Sequence, residues 1–247
     1  MEAEPAAPEP LLTVVVPVYD EEGAIAEVVG SWSAELERLD IDYRLHVYDD
    51  GSRDATPRIL SELAGRHSRL SVFRHANRGH GPTILRGYRE ARGTWVLQID
   101  GDGEMPARSF PSLWEERERY DFLVGSRLDR RSPLARRLVS AGSRASVHLL
   151  LGKGVRDVNS PYRLMRRERL LPLLDLLPED AFAPNVLLSG LAARAGLRVF
   201  ECPVPHEGRR TGRGSLTNRR LWAGVVRSFR DTLATARRAR RLSDRPR

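Results

Sequence analysis

Over the first 124 residues, short apolar runs alternate with longer stretches whose apolar residues recur at helical spacing. Few folds accept that alternation. Leu12–Val18 and Leu70–Arg74, with residues 43–48, 95–99 and 122–124, read as strands. Residues 22–39 carry Ile25, Val28, Val29, Trp32, Leu36 and Leu39 on one helical side. Asp54 is placed to cap a helix reaching Arg66. A glycine-rich turn at 77–82 opens a helix to Ala91, and residues 107–119 read as another. Strands and helices in this order form an open, mainly parallel α/β sheet flanked by helices. Such sheets bind ligands at the carboxyl ends of their strands.

The second half is less regular. Helices are expected at 136–151, at 166–177 with two interruptions, and at 182–195. A polar loop at 157–163, a strand at 197–204, a Gly- and Arg-rich loop at 206–218 and a basic helix at 219–241 complete the chain. The expected organisation is a disordered segment 1–10, a catalytic-type domain 11–217, and a basic amphipathic helix and tail 218–247.

Composition narrows the chemistry. The single cysteine, Cys202, excludes a disulfide framework and a cysteine-rich zinc site, and fits a reducing compartment. The longest stretch free of charge, residues 181–193, is broken by Pro184 and is shorter than the roughly 18–20 apolar residues of a spanning helix. Residues 1–10 hold three Glu and no Lys or Arg, unlike a secretory signal. The net charge is +8, and Lys153 is the only lysine, so 40 of the 41 basic residues are arginine. Arginine forks bind phosphate bidentately, which makes nucleic acid, anionic membrane and phosphorylated small molecules the candidate partners.

Three acidic clusters fall at the expected strand ends. In Asp100-Gly101-Asp102-Gly103-Glu104, alternate carboxylates share a face of extended chain. Such a group needs a cation, and Mg²⁺ or Mn²⁺ carrying a diphosphate suits it. A plain acidic turn closing a strand is the alternative. Pro17-Val18-Tyr19-Asp20-Glu21-Glu22 offers Tyr19 for stacking on a base and Glu21 as an acceptor, or simply a favourable helix start. Tyr48-Asp49-Asp50-Gly51-Ser52 offers a carboxylate to a base or ribose, or simply a turn.

Taken together, Val-Pro-Val-Tyr-Asp-Glu-Glu, Asp-Asp-Gly-Ser-Arg-Asp, Asn-Arg-Gly-His-Gly, Asp-Gly-Asp and Gly-Ser-Arg occur in order. This set resembles the inverting nucleotide-sugar glycosyltransferases of family 2, and within them the polyprenol-phosphate (dolichol-phosphate) mannosyl- and glucosyltransferase branch, over about residues 12–215. The resemblance implies a GT-A type Rossmann-like domain. It implies that Pro17, Tyr19, Glu21, Tyr48, Asp50, Asp100 and Gly101 line the nucleotide-sugar pocket, and that Asp100, Asp102 and Glu104 hold Mg²⁺ or Mn²⁺. Glu104 stands where the dolichol-type enzymes usually have Gln.

By the same resemblance Asp102 and Arg127 are the catalytic residues, and Arg127, Arg136, Arg137, Ser140, Arg209 and Arg210 bind the acceptor phosphate. Asp157-Val158-Asn159-Ser160-Pro161-Tyr162-Arg163 resembles the branch's Asp-x-x-Ser-Gly-Phe-Arg loop, with Pro161 in place of Gly; Asn185 lies near where many relatives carry Glu.

The function implied is metal-dependent, inverting transfer of a hexose from GDP-mannose, or from UDP-glucose or UDP-N-acetylglucosamine, to a polyprenyl phosphate. A same-fold enzyme acting on a hydroxyl of an envelope glycan, glycolipid or specialised metabolite is the first alternative. A non-catalytic basic protein on membrane or nucleic acid is the remote one, since the carboxylates repel a polyphosphate chain; nucleic acid is not an expected partner. The last helix, with Leu221, Trp222, Val225, Val226, Phe229 and Leu233 on one side, is expected to lie on anionic lipid or to dock on protein. The expected location is cytoplasmic, at the inner face of the cell membrane, attached peripherally or through an integral-membrane partner.

Overall fold

The computed structural model describes residues 9–127, 147, 149–152, 155–208 and 218–243, with main chain alone at 218–223 and 241–243. Among these residues the strands are β1 (Leu12–Val18), β2 (Tyr43–Asp49), β3 (Leu70–Arg74), β4 (Trp95–Gln98), β5 (Phe122–Arg127), β6 (Arg163–Arg166) and β7 (Val199–Val204). They form one sheet in the order β3-β2-β1-β4-β6-β5-β7. β1 pairs in parallel with β2 and β4, β2 with β3, and β5 with β7. β6 alone runs antiparallel, against β4 and β5. The helices are α1 (Ile25–Arg38), α2 (Thr56–Ala64), α3 (His80–Glu90), α4 (Pro111–Trp114), α5 (Arg167–Leu174), α6 (Pro184–Arg194) and α7 (Asn218–Ser243).

Strand alternation sorts the core into two layers. Val14, Val16 and Val18 of β1 join Leu45 and Val47 of β2 beneath Ile25, Val28 and Trp32 of α1. Val15 and Tyr48 face the other way and join Ile84, Leu85 and Tyr88 of α3. Each fully buried side chain of this size contributes on the order of 1.5–3 kcal/mol. Exposed pairs such as Arg58–Glu62 contribute about 0–1 kcal/mol, so the sheet faces, and not the many surface arginines, hold the fold together.

Three expectations need correction. Residues 107–119 are not one helix: a 3₁₀ turn at Ala107–Ser109 gives way to the single turn α4 and then to turns. Pro111 has no N–H to continue a helix from the preceding turn. Arg163–Arg166 is a strand and not the end of a loop. Ala55, and not Asp54, occupies the N-cap of α2, although the Asp54 carboxylate still accepts the Thr56 N–H at 2.9 Å. Of the expected helix 136–151, most lies outside the described residues, and residues 147 and 149–150 are helical.

The helix α7 docks on the domain through its small residues. Ser228, Thr232, Thr235, Ala236 and Ala239 are buried, and Gly224 lies so close to the Phe182 ring that a Cβ there would meet it at 2.5 Å. Asp231 accepts the Phe182 N–H at 2.9 Å, and Arg227 pairs with Asp180. Val226 and Phe229 of the expected lipid stripe remain 60% and 47% exposed. Among the described residues no helix is long and apolar enough to cross a membrane.

Candidate active site

The ends of β1, β2 and β4 meet at one sheet edge because specific groups stitch them. The Asp20 N–H donates to Ser52 Oγ at 3.0 Å, and Asp20 Oδ1 accepts the Arg53 N–H at 2.7 Å. The Glu21 N–H donates to Thr56 Oγ1 at 2.9 Å. Glu22 and Asp54 trade acceptors: Glu22 N–H to Asp54 Oδ2 at 3.0 Å, and Ala55 N–H to Glu22 Oε2 at 2.8 Å. Asp20 is held at φ 54°, a left-handed conformation that Asp tolerates better than most residues. On the other side, a Cβ at Gly101 would meet Val18 Cγ1 at 2.5 Å, so only glycine lets the loop after β4 approach the end of β1 this closely.

That approach brings the turn carrying Asp100 and Asp102 against the end of β1. Asp100, Asp102 and Glu104 line one cleft with Arg127, Met105, Tyr162 and His206. Burial pushes the Asp100 carboxyl up to about 6; His80 opposes the rise, with its Nε2 3.8 Å from Asp100 Oδ1, while Asp102 adds to it. The Glu104 N–H donates to Asp102 Oδ1 at 3.1 Å, which turns the loop back on itself. His206 Nε2 lies 2.8 Å from Glu104 Oε2, and the Glu207 N–H donates to Glu104 O at 2.9 Å. His206 thus joins the cleft from a loop about a hundred residues away, with no spacing in the sequence to announce it.

The donor set is carboxylate oxygen, a hard set that suits Mg²⁺ or Mn²⁺. Among the described residues no three of the His, Cys, Asp and Glu side chains gather as a complete metal site. Asp100 and Asp102 line the cleft, while Glu104 there is paired with His206.

Arg127, on β5, closes the cleft from the other side. Its Nε and Nη2 donate to the two oxygens of Asp157, each at 2.7 Å. Burial works against the guanidinium charge, but these bonds outweigh it and hold the Arg127 pKa above its ordinary value. Beneath this pair, Arg163 is fully buried and donates to the main-chain oxygens of Val158, Ser160 and Asn185. It fixes the course of the 157–163 loop, whose Pro161 lines the cleft.

A buried polar chain supports Asp100. Gln98 Oε1 accepts from Tyr88 Oη at 2.6 Å and from Asn185 Nδ2 at 2.8 Å, which frees Gln98 Nε2 to donate to Asp100 Oδ1 at 3.3 Å. Sequence reasoning missed Gln98, Tyr88 and Ser52 as site-building residues. For Gln98 and Tyr88 the signal is a polar group on an otherwise apolar strand or helix face; Ser52 sits in the turn after β2.

Tyr48 requires a correction. It has no exposed surface and stacks on Phe73 at 4.9 Å in the α3 layer, so it offers no face to a nucleotide. Strand parity turns it from the edge: Val47 and Tyr48 face opposite layers. Asp50 is 4% exposed, and its two oxygens accept the Arg78 and Gly79 N–H groups at 2.6 and 2.9 Å. It holds the glycine-rich turn. Tyr19 and Glu21 are half-buried in the loop after β1 and are not among the residues lining the cleft, and Pro17 is buried within β1. Arg136, Arg137, Ser140, Arg209 and Arg210 lie outside the described residues.

Comparison with other proteins places this architecture. The family model described as "Glycosyl transferase family 2" matches residues 13–171. The undecaprenyl-phosphate 4-deoxy-4-formamido-L-arabinose transferase of Pseudomonas fluorescens (strain Pf0-1) is 29% identical over 213 residues, 85% of this chain and 61% of that protein. Its namesake in Klebsiella pneumoniae (strain 342) is 28% identical over 214 residues, 85% of this chain and 64% of that protein. The chain therefore spans less than two thirds of the length of these curated relatives.

Glucosyl-3-phosphoglycerate synthase from Mycobacterium tuberculosis, in complex with Mn²⁺, UDP-glucose and phosphoglyceric acid, superposes with a TM-score of 0.66 at 21% identity, over 92% of this chain and 80% of that one. S. aureus TarS 1–349 does so with 0.53 at 20% identity, over 77% and 57%. The likeness is one of fold, and the fold is the expected GT-A type: a mainly parallel sheet with one antiparallel strand and helices on both faces. With the family model covering well over half of the chain, the protein belongs to glycosyl transferase family 2.

Proposed function

We propose that the protein transfers a sugar, with inversion, from a nucleotide-diphosphate sugar to a polyprenyl phosphate. The observation that carries this is the cleft itself: three carboxylates facing an oriented arginine at the carboxyl edge of the sheet. Carboxylates with a cation suit a diphosphate, and the arginine suits a second, separate anion. Curated relatives are named for transfer to undecaprenyl phosphate, which supports the acceptor class.

Asp100 and Asp102, with Glu104, are the residues that would hold a divalent cation. When bound, such an ion neutralises charge developing on a nucleoside-diphosphate leaving group. The Gln98 amide holds Asp100 in place for that task. Tyr19 and Glu21 supply the rim for the nucleoside, and Gly101 lets the Asp100–Asp102 turn close up against the end of β1. Arg127 orients the acceptor and screens it from the donor's negative charge. A phosphate acceptor is already anionic near neutral pH, so the site needs no strong general base.

Exposed Val226 and Phe229, with Arg230 and Arg237 on the same exposed helix, fit peripheral attachment at an anionic membrane surface, where such an acceptor resides. The donor candidates are GDP-mannose, UDP-glucose, UDP-N-acetylglucosamine and, from the relatives' names, a nucleotide-linked 4-deoxy-4-formamido-L-arabinose. Incubation of the protein with each donor, Mn²⁺ or Mg²⁺, and either undecaprenyl phosphate or undecaprenol tests the reading by mass spectrometry. Glycosylated undecaprenyl phosphate is the expected product. Transfer to hydroxyl acceptors alone would overturn it.

A further inference from the structure

Arginine 127 is not free to swing towards an anion. Asp157 takes its Nε and Nη2 edge at 2.7 Å each and also accepts its main-chain N–H at 3.3 Å. Asp157 is itself set in place. The Glu201 carboxylate on β7 accepts the Arg156 N–H at 3.0 Å and the Asp157 N–H at 2.9 Å. β7 lies directly beside β5, with Glu201 opposite Val124. The order runs from sheet to loop to arginine: β7 fixes Glu201, Glu201 fixes the loop, and Asp157 fixes the guanidinium.

Fastening the loop does not explain Asp157. The loop is already tied to β5 by Ser160 Oγ donating to Gly125 O at 2.5 Å and by the Gly125 N–H donating to Tyr162 O at 2.7 Å. Arg163 holds it from below. What Asp157 adds is orientation. An unpinned arginine samples many rotamers and loses that freedom when it binds. A bidentate carboxylate removes the cost in advance and presents the Nη1 side as a directed donor. Among the described residues that side carries no hydrogen bond.

We propose that Asp157, held by Glu201, is the positioning residue that aims Arg127 at the acceptor's phosphate. This rests on the lipid-phosphate reading above and names the residue that gives it specificity. The test is a double-mutant cycle on wild type, Arg127→Ala, Asp157→Asn and the double variant. Calorimetry measures binding of undecaprenyl phosphate in detergent, with undecaprenol as the lipid control, and thermal melting monitors the fold.

Wild type is expected to bind the phosphate and not the alcohol. Asp157→Asn is expected to weaken binding about tenfold with little change in melting, and to weaken it no further once Arg127 is Ala. Glu201→Gln keeps the pair but loosens it, and is expected to lose about two- to threefold. Unchanged affinity in Asp157→Asn, or losses that multiply in the double variant, would overturn the positioning role alone. Equal binding of phosphate and alcohol by wild type would overturn the lipid-phosphate reading and this inference with it.

Discussion

The two sides of the cleft are built differently. The β1-β2-β4 side is assembled from groups close to their own strand ends: Asp20, Glu21 and Glu22 meet Ser52, Asp54 and Thr56 across two adjacent parallel strands. The β5-β6-β7 side is assembled across long sequence distances, from Arg127, Asp157 and Glu201. The first side recurs as a sequence motif because strand ends and turns are local. The second is a chain of carboxylates and main-chain N–H groups that only the folded sheet brings together. The local motifs therefore lie on one wall of the cleft and the long-range assembly on the other.

Breaking each wall should have different consequences. The largest effect is expected from Asp102→Ala, which removes one of the carboxylates proposed to hold the divalent ion. Sugar transfer should fall by about 10³-fold or more, with the fold intact by circular dichroism. Chelation of divalent ions should do the same to wild type. Arg127→Ala comes next: acceptor KM should rise by about 10²-fold while donor affinity stays within about twofold, read by steady-state kinetics. A loss of donor affinity instead would move Arg127 to the first wall.

The stitching itself is worth less. Thr56→Ala removes the acceptor of the Glu21 N–H and should cost about 1 kcal/mol of stability by denaturant unfolding. A further effect, confined to a pH window and to ion-free protein, concerns protons. The Asp100 carboxyl, at about 6 in the folded chain, lies above the usual carboxylate value of about 3.9 in the unfolded one. The folded state therefore holds an extra proton across that window. Without divalent ions, stability should fall as pH rises from about 4 to about 6 and level off above it. Melting curves in chelator, wild type against Asp100→Asn, should show that slope only in wild type.

How far the sequence foretold this follows from the same contrast. The strands β1 to β4, and the acidic ends of β1, β2 and β4, were legible because apolar runs and turn residues are local signals. The clustering of Asp100, Asp102 and Glu104 with Arg127 at one edge followed from strand topology. Tyr48 was misplaced because parity, not proximity to a motif, decides which layer a strand residue enters. β6 was illegible: Arg163-Leu164-Met165-Arg166 is four residues long, and its antiparallel pairing is set by distant neighbours. The small-residue face of α7 was overlooked because large apolar residues dominate any reading of amphipathicity, whereas Gly224, Thr235 and Ala239 permit the closest approach. His206 and Glu201 were invisible for the same reason as β6.

The central claim is that Asp100 and Asp102 grip a nucleotide-diphosphate sugar through a shared divalent ion. Calorimetric titration of the purified protein with GDP-mannose, UDP-glucose and UDP-N-acetylglucosamine, with and without Mn²⁺, tests it most directly. The account predicts that at least one donor binds with Mn²⁺, that binding is lost with chelator, and that Asp102→Ala abolishes the Mn²⁺ dependence. Donor binding that is equally tight without the ion, and unchanged in Asp102→Ala, would contradict it.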